Sequence, residues 1–141
     1  NGYGLVGGVA NAIASGKRML SSMAPTFLEN EKDIGVLGTP GGSRIISMVL
    51  LATLDFAKGN GPDSWVQVPR FHHQFMPDIV EYEKGAMTDA EIKGLTAKGH
   101  QLKEARYPYG DMQAVLLNKA TMSLSAASDK RGEGRAVVGN K

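Results

Sequence analysis

A glycine-rich turn carries the clearest chemistry in this sequence. Residues 38–44 read Gly-Thr-Pro-Gly-Gly-Ser-Arg, with a short apolar run (34–37) before them and a long apolar segment (45–56) after them. This order predicts a strand, a tight turn and a helix. Gly41 and Gly42 permit backbone angles that a side chain would forbid, so the turn can point bare N–H groups outward at the positive end of the helix. Groups placed in this way bind an anion.

The residues around the glycine pair exclude the common phosphate and nucleophile motifs. A phosphate loop requires Lys and then Ser or Thr after the glycines, whereas Ser43 and Arg44 follow here. Neither G-x-G-x-x-G nor G-x-S-x-G is present. Two interpretations remain: an oxyanion hole, in which adjacent N–H groups face a developing negative oxygen, or a plain strand-to-helix connection. The local sequence by itself favours the plain connection, because such turns are common.

Other polar residues carry weaker signals. Ser21 and Ser22 are adjacent hydroxyls before an apolar run and, taken alone, indicate a solvated turn or a cap. His72 and His73 are neighbours on a segment predicted to be extended, so their side chains point to opposite faces and one metal ion is not expected to take both. His100 and the carboxylates show no ligand spacing. No metal and no cofactor are therefore expected, and no motif places a Ser-His-Asp triad.

The helices and strands that must position the turn are predicted from the hydrophobic periodicity and from the glycine, proline and capping residues that end each segment. The turn's helix (43–58) is apolar almost all round and should be buried on most faces, with Ser43 as N-cap and Gly59 just past its end. Thr88 and Glu91 form a capping box for a second helix. The chain from Ser128 onward is predicted to be a loop that frays. Further elements are a short helix at 63–68, the second helix at 88–98, and strands at 26–28, 34–37, 79–83, 100–105, 112–117 and 121–126. This mixture predicts an α+β or layered α/β fold.

Composition narrows the class of protein. The 141 residues suffice for one domain or part of one, with 42% hydrophobic and 21% charged residues. The net charge of +2 and the absence of a basic stripe make nucleic acid an unexpected partner. There is no cysteine, no apolar run long enough to span a bilayer and no signal-like segment. The chain begins at Asn1 rather than Met, which indicates a processed product or a fragment.

Several motifs in register resemble the small subunit of the gamma-glutamyltranspeptidases. They are Lys-Arg-Met-Leu-Ser-Ser-Met-Ala-Pro-Thr at 17–26, Gly-Thr-Pro-Gly-Gly-Ser-Arg-Ile-Ile at 38–46 and Pro-Arg-Phe-His-His-Gln at 69–74. The segments 3–8 and 127–129 also fit, so the similarity extends over nearly the whole chain.

This resemblance implies an N-terminal-nucleophile hydrolase fold, a four-layer αββα sandwich. It implies that residues 1–141 are the C-terminal portion of a small subunit, a single partial domain. Its partners would be the rest of that subunit and the large subunit of the same precursor. The precursor would cleave itself, and its new N-terminal Thr would attack the gamma-glutamyl amide of glutathione or a related donor. The glutamyl group would then pass to water or to an acceptor amine, in the bacterial periplasm or after secretion.

The resemblance also assigns roles to residues of this chain. The backbone N–H groups of Gly41 and Gly42 would form the oxyanion hole, and the hydroxyls of Ser21 and Ser22 would bind the donor's α-carboxylate. The catalytic Thr, and an Arg of the large subunit that binds the same carboxylate, match no position in the chain. The 141 residues alone are therefore expected to be inactive.

Three positions depart from the family pattern. Met19 stands where a Pro is usual, Ala24 where a Ser is usual and Lys130 where a Pro is usual. Met19 and Ala24 flank the serine pair and motivate an alternative enzyme, a related acylase of the cephalosporin acylase or poly-gamma-glutamate processing type. The missing nucleophile motivates a third interpretation, a catalytically inactive homologue or fragment.

Overall fold

A computed structural model describes residues 8–19, 21 and 23–139. The strands are β1 (Thr26–Glu29), β2 (Asp33–Gly38), β3 (Phe71–His72), β4 (Val80–Tyr82), β5 (Leu102–Glu104), β6 (Gln113–Asn118) and β7 (Leu124–Ser128). The helices are α1 (Ile45–Ala57), α2 (Pro62–Gln67) and α3 (Asp89–Ala97), with 3₁₀ turns at Val9–Asn11 and Gly42–Arg44. The predicted α+β class is confirmed. No helix in the described ranges is long and apolar enough to cross a membrane.

The strands form two sheets. The larger sheet has the order β1-β2-β6-β7 and is antiparallel throughout. The smaller sheet has the order β3-β4-β5, in which β3 and β4 are antiparallel and β4 and β5 are parallel. The pairing of β2 with β6 sets Gly38 opposite Gln113, so the end of β2 that leads into the glycine turn lies beside the start of β6.

The core lies between the larger sheet and the helices α1 and α2. Trp65 of α2 is buried and packs edge-to-face on Phe56, with ring centroids 5.5 Å apart. Its indole N–H donates to the Asn60 carbonyl at 2.7 Å, which satisfies the one polar group of the ring. Gly35 of β2 allows this approach, since a Cβ there would lie 3.1 Å from the indole Cη2. The other buried members of this core are Leu37, Ile45, Met48, Ala52, Val66, Met112, Ala114 and Ala127.

Helix α1 is buried on one side only. Ile46, Leu50 and Leu54 are 64%, 53% and 51% exposed, and their spacing of four residues places them on one stripe. The expectation that α1 is buried on most faces is therefore wrong for the described chain. The larger sheet likewise exposes apolar side chains, among them Phe27, Val115 and Leu124. Neighbouring exposed apolar side chains of this kind are typical of surfaces that contact another part of a protein.

The helix ends follow the predicted signals, with one exception. Thr88 and Glu91 form the expected capping box, and Gly59 follows the C-cap of α1 with a φ of +84°. Ser43, however, does not cap α1. It lies inside the 3₁₀ turn Gly42–Arg44, and Arg44 occupies the N-cap position without a side-chain cap. The glycine pair explains the difference. Gly41 and Gly42 begin a 3₁₀ turn that contains Ser43, and the α-helix starts only after that turn.

A cluster of buried charges joins the two sheets. Arg70, just before β3, donates through Nη2 to Asp129, which follows β7, and through Nη1 to the Tyr109 carbonyl. Arg131 donates to Asp129 Oδ1 at 3.0 Å and to Glu83 Oε2 at 2.6 Å, and the backbone N–H of Arg70 donates to Glu83 at 2.9 Å. Two cations thus meet two carboxylates.

This cluster corrects the prediction for residues 128 and 129. Ser128 belongs to β7, and Asp129 is 1% exposed and held by both arginines, so these two residues are not part of a fraying loop. Residues 130–139 contain no helix or strand, as predicted. Sequence reasoning missed the cluster because the four charges come from three separate segments. Lys130 is exposed and takes no part in the cluster.

We expect Asp129→Ala to lower the free energy of unfolding by about 3–5 kcal/mol, because Arg70 would remain buried beside no carboxylate. Asp78→Ala is the matched control. Asp78 pairs with His73 but is 84% exposed, so its loss should cost less than about 1 kcal/mol. Urea unfolding of the two variants measures the difference, and equal losses would show that the cluster does not stabilise the fold.

The same cluster predicts a dependence of stability on pH. Burial raises the pKa of Asp129, but hydrogen bonds from the backbone N–H groups of Arg131 and Met112 and from the Arg70 side chain outweigh it, so the pKa lies below its usual 3.8. A lowered pKa stabilises the folded state above the usual value, and that stability is lost as pH falls through the lowered value. We expect Asp129→Asn to flatten the decline in unfolding free energy between about pH 5 and about pH 2. An unchanged slope would contradict this.

Candidate active site

The glycine turn leaves two backbone donors without a hydrogen-bond partner in the described chain. Gly41 has φ +152° and ψ 8°, and Gly42 has φ +57°. The backbone angle requires glycine at Gly41, and a Cβ there would also lie 2.4 Å from Met48 Cε, so the end of that side chain would have to move. Neither N–H donates to an acceptor within the described part of the chain. Two adjacent, exposed donors therefore lie at the start of α1, where the helix dipole favours negative charge.

Contacts with the small sheet hold the helix that follows the turn. Arg44 donates through Nε to Glu81 of β4 at 3.2 Å and pairs with the same carboxylate through Nη2. Its guanidinium also lies 4.9 Å from the centroid of the Tyr109 ring. One turn further on, Ser47 Oγ lies 2.6 Å from His72 Nδ1 of β3. The first turn of α1 is thereby joined to both β3 and β4.

His72 is held by both of its ring nitrogens. Gln74 Nε2 donates to the Met76 carbonyl at 2.8 Å, so its Oε1 is the atom that faces His72 Nε2 at 2.9 Å. His72 Nε2 therefore carries a proton, and Nδ1 shares a hydrogen bond with the Ser47 hydroxyl, which also donates to the Arg44 carbonyl at 3.2 Å. His73 pairs instead with Asp78 at 2.8 Å. The prediction that the adjacent histidines point to different faces is confirmed. No three potential metal ligands lie together within the described ranges.

A groove of about 360 Å³ lies on the side of the turn that precedes Gly41. Its walls are the segment 23–25, the segment 38–40 with Ile45, and Asp111 with Gln113 from the start of β6. Asp111 is joined to the turn, since its backbone N–H donates to Thr39 Oγ1 at 3.2 Å. The segment 23–25, which follows the serine pair, thus forms one wall of the groove. The segment 38–40, which precedes the glycine pair, forms another.

The serine pair itself is only half described. Ser21 is exposed, and its Oγ accepts from the Met23 N–H at 3.2 Å. Ser22 lies outside the described residues, so its predicted role stays a prediction. The structure brings the segment next to Ser21 to the turn but does not show a serine hydroxyl within the groove, whose walls begin at Met23.

Sequence reasoning missed several residues around the turn. Arg44 and Ser47 follow the glycines closely, but their partners Glu81 and His72 are 37 and 25 residues away. No local spacing signals such pairs. Tyr109 is a further such residue. It packs against the core, and its hydroxyl is buried without a hydrogen-bond partner among the described residues. Burial, and secondarily the charge of Glu83, raises its pKa to about 12, so it stays protonated.

Comparisons with known proteins identify the family of the chain. Residues 1–139 match the family model described as gamma-glutamyltranspeptidase. The glutathione hydrolase proenzyme of Escherichia coli K12 is 44% identical over 137 residues, which cover 93% of this chain and 22% of that protein. The chain therefore spans about a fifth of the length of this relative.

Solved structures extend the likeness to the fold. The gamma-glutamyltranspeptidase from Pseudomonas nitroreducens, complexed with L-DON, is 38% identical with a TM-score of 0.82, covering 99% of this chain and 74% of that chain. A mutant of the Helicobacter pylori gamma-glutamyltranspeptidase is 38% identical with a TM-score of 0.82, covering 94% of this chain and 73% of that chain. The chain thus belongs to the gamma-glutamyltranspeptidase family, and its two sheets and three helices form part of that family's N-terminal-nucleophile hydrolase fold.

Proposed function

We propose that this chain is the C-terminal portion of the small subunit of an enzyme that cleaves the gamma-glutamyl amide of glutathione and related donors. The glutamyl group passes to water or to an amine. The observation that carries this proposal is the pair of open N–H groups at Gly41 and Gly42, in a turn whose preceding residues 38–40 line a groove together with the segment 23–25. The E. coli relative named a glutathione hydrolase proenzyme supports the choice of donor.

In this proposal the glycine pair stabilises the transition state. A Thr supplied from outside the 141 residues attacks the gamma-carbonyl carbon, and the carbonyl oxygen becomes an oxyanion. The N–H groups of Gly41 and Gly42 donate to that oxygen. Removing one such donor typically lowers kcat by about 10²–10³-fold. The contacts of Arg44 with Glu81 and of Ser47 with His72 keep the first turn of α1, and hence these donors, in place.

The serine pair binds the other end of the glutamyl group. The hydroxyls of Ser21 and Ser22 donate to the donor's α-carboxylate, and a hydrogen bond to a charged group contributes roughly 1.5–3 kcal/mol. The groove between the segment 23–25 and the turn holds the aliphatic part of the glutamyl side chain. This assigns the carboxylate and the reacting carbonyl to opposite ends of one groove. No cofactor takes part.

The exposed apolar surfaces fit the proposed partners. The α1 stripe of Ile46, Leu50 and Leu54 and the open face of the larger sheet are where the remaining small-subunit residues and the large subunit pack. The isolated 141 residues are then inactive, because the nucleophile comes from that remainder. The assembled enzyme works in the bacterial periplasm or outside the cell.

A second candidate function rests on the groove wall. Ala24 lines the groove where the family pattern has a serine, so one hydroxyl is absent near the proposed glutamyl site. This change favours a related acylase with a different acyl group. Donor rates of the assembled protein distinguish the two, since the first function requires a gamma-glutamyl donor to be preferred.

We expect Gly41→Ala in the assembled protein to lower kcat with a gamma-glutamyl donor by about 10²–10³, because the new Cβ displaces the turn and its N–H groups. Gly59→Ala is the matched control: its φ is +84°, its Cβ would meet nothing within 4 Å, and it lies past the far end of α1. That variant should keep its activity. An unchanged kcat for Gly41→Ala would overturn the proposed oxyanion hole.

We expect Ser21→Ala and Ser22→Ala each to raise KM for the gamma-glutamyl donor by at least about tenfold, because one charge-assisted hydrogen bond is lost. Ser15→Ala, at another exposed serine of the same N-terminal segment, should leave KM unchanged. Steady-state kinetics with gamma-glutamyl-p-nitroanilide measures all three variants. If neither member of the pair alters KM, the α-carboxylate is bound elsewhere.

A further inference from the structure

The small sheet presents one row of polar side chains to the glycine turn. His72 of β3 is paired with Glu81 of β4, and Glu81 is paired with Lys103 of β5. Residues in register across a sheet share a face, so these three side chains lie side by side. Phe71 and Val80 point to the other face and line a separate apolar groove against α3.

This row forms the floor of a second pocket. The pocket has a volume of about 260 Å³ and is lined by the row together with Ser43, Arg44, Gln74, Pro77 and Ile79. Ser43 and Arg44 come directly after Gly42, and the groove described above is lined by Thr39 and Pro40, directly before Gly41, and by Ile45. Both cavities therefore lie beside the glycine turn.

The charges in the pocket do not cancel. Glu81 is bound by Arg44, and His72 uses both ring nitrogens for Ser47 and Gln74. Lys103 forms no ion pair with any acidic group in the described ranges. Two cations therefore face one carboxylate, and the pocket has an excess of one positive charge. Pro77 and Ile79 add an apolar wall beside it. This combination suits a small ligand with a carboxylate and an aliphatic part.

We propose that this pocket binds the amine half of the reaction, which is the leaving group of the donor and the incoming acceptor, and that Lys103 binds its carboxylate. The inference rests on the proposed function. When the carbonyl oxygen lies at the Gly41–Gly42 donors, the two substituents of the carbonyl carbon extend away from each other. The groove takes the glutamyl side and the pocket takes the amine side. The ligand class is an amino acid or short peptide with a free carboxylate.

The test compares two donors that share the glutamyl half in the full processed protein. Glutathione releases a dipeptide with a carboxylate, and gamma-glutamyl-p-nitroanilide releases an amine without one. We expect Lys103→Gln to lower kcat/KM for glutathione about tenfold and to leave kcat/KM for the anilide unchanged. Lys103→Arg keeps the positive charge and should retain most of the parent protein's kcat/KM for glutathione relative to that for the anilide. Lys93→Gln, an exposed lysine of α3 outside the pocket, is the matched control and should alter neither value.

The outcomes separate this inference from the proposed function. If the parent protein cleaves neither donor, the proposed function fails and the inference falls with it. If the parent cleaves both, and Lys103→Gln lowers both equally or neither, the proposed function stands and the inference is overturned. A loss confined to glutathione supports it, because a merely structural role for Lys103 would affect both donors.

Discussion

The buried charge cluster is the interaction on which the rest of the structure depends. Arg70 and Asp129 are almost fully excluded from solvent, and Arg131 and Glu83 complete the set. An unpaired charge at this depth would be strongly unfavourable, so each carboxylate requires its arginine. Because the four residues come from the start of β3, the end of β4 and the chain after β7, satisfying them sets the small sheet at a fixed place beside the large one.

That placement has a consequence for the glycine turn. The turn leaves the large sheet through β2, while the groups that hold the helix after it, Glu81 and His72, belong to the small sheet. The open N–H pair is therefore supported from both sheets at once. A site of two backbone donors has no side chains of its own to position it, so its geometry depends on these contacts around it.

Local features were predictable from the sequence because they depend on neighbours along the chain. The strand, turn and helix around 38–44 follow from apolar runs broken by Pro and Gly, and the capping box of Thr88 and Glu91 follows from their spacing. The same local logic failed for Ser43, where the glycines before it add a 3₁₀ turn, and for the outer stripe of α1, which is exposed in the described chain.

The sequence by itself determined the glycine pair and most helix and strand positions, and its motifs indicated the family before any fold was known. Only the tertiary structure decided that Asp129 is buried, that Arg44 and Ser47 bind the small sheet, and that His72, Glu81 and Lys103 form one row. The physical reason is distance along the chain. Periodicity and turn chemistry act over a few residues, whereas these contacts join residues 9 to 59 positions apart, and only packing brings those together.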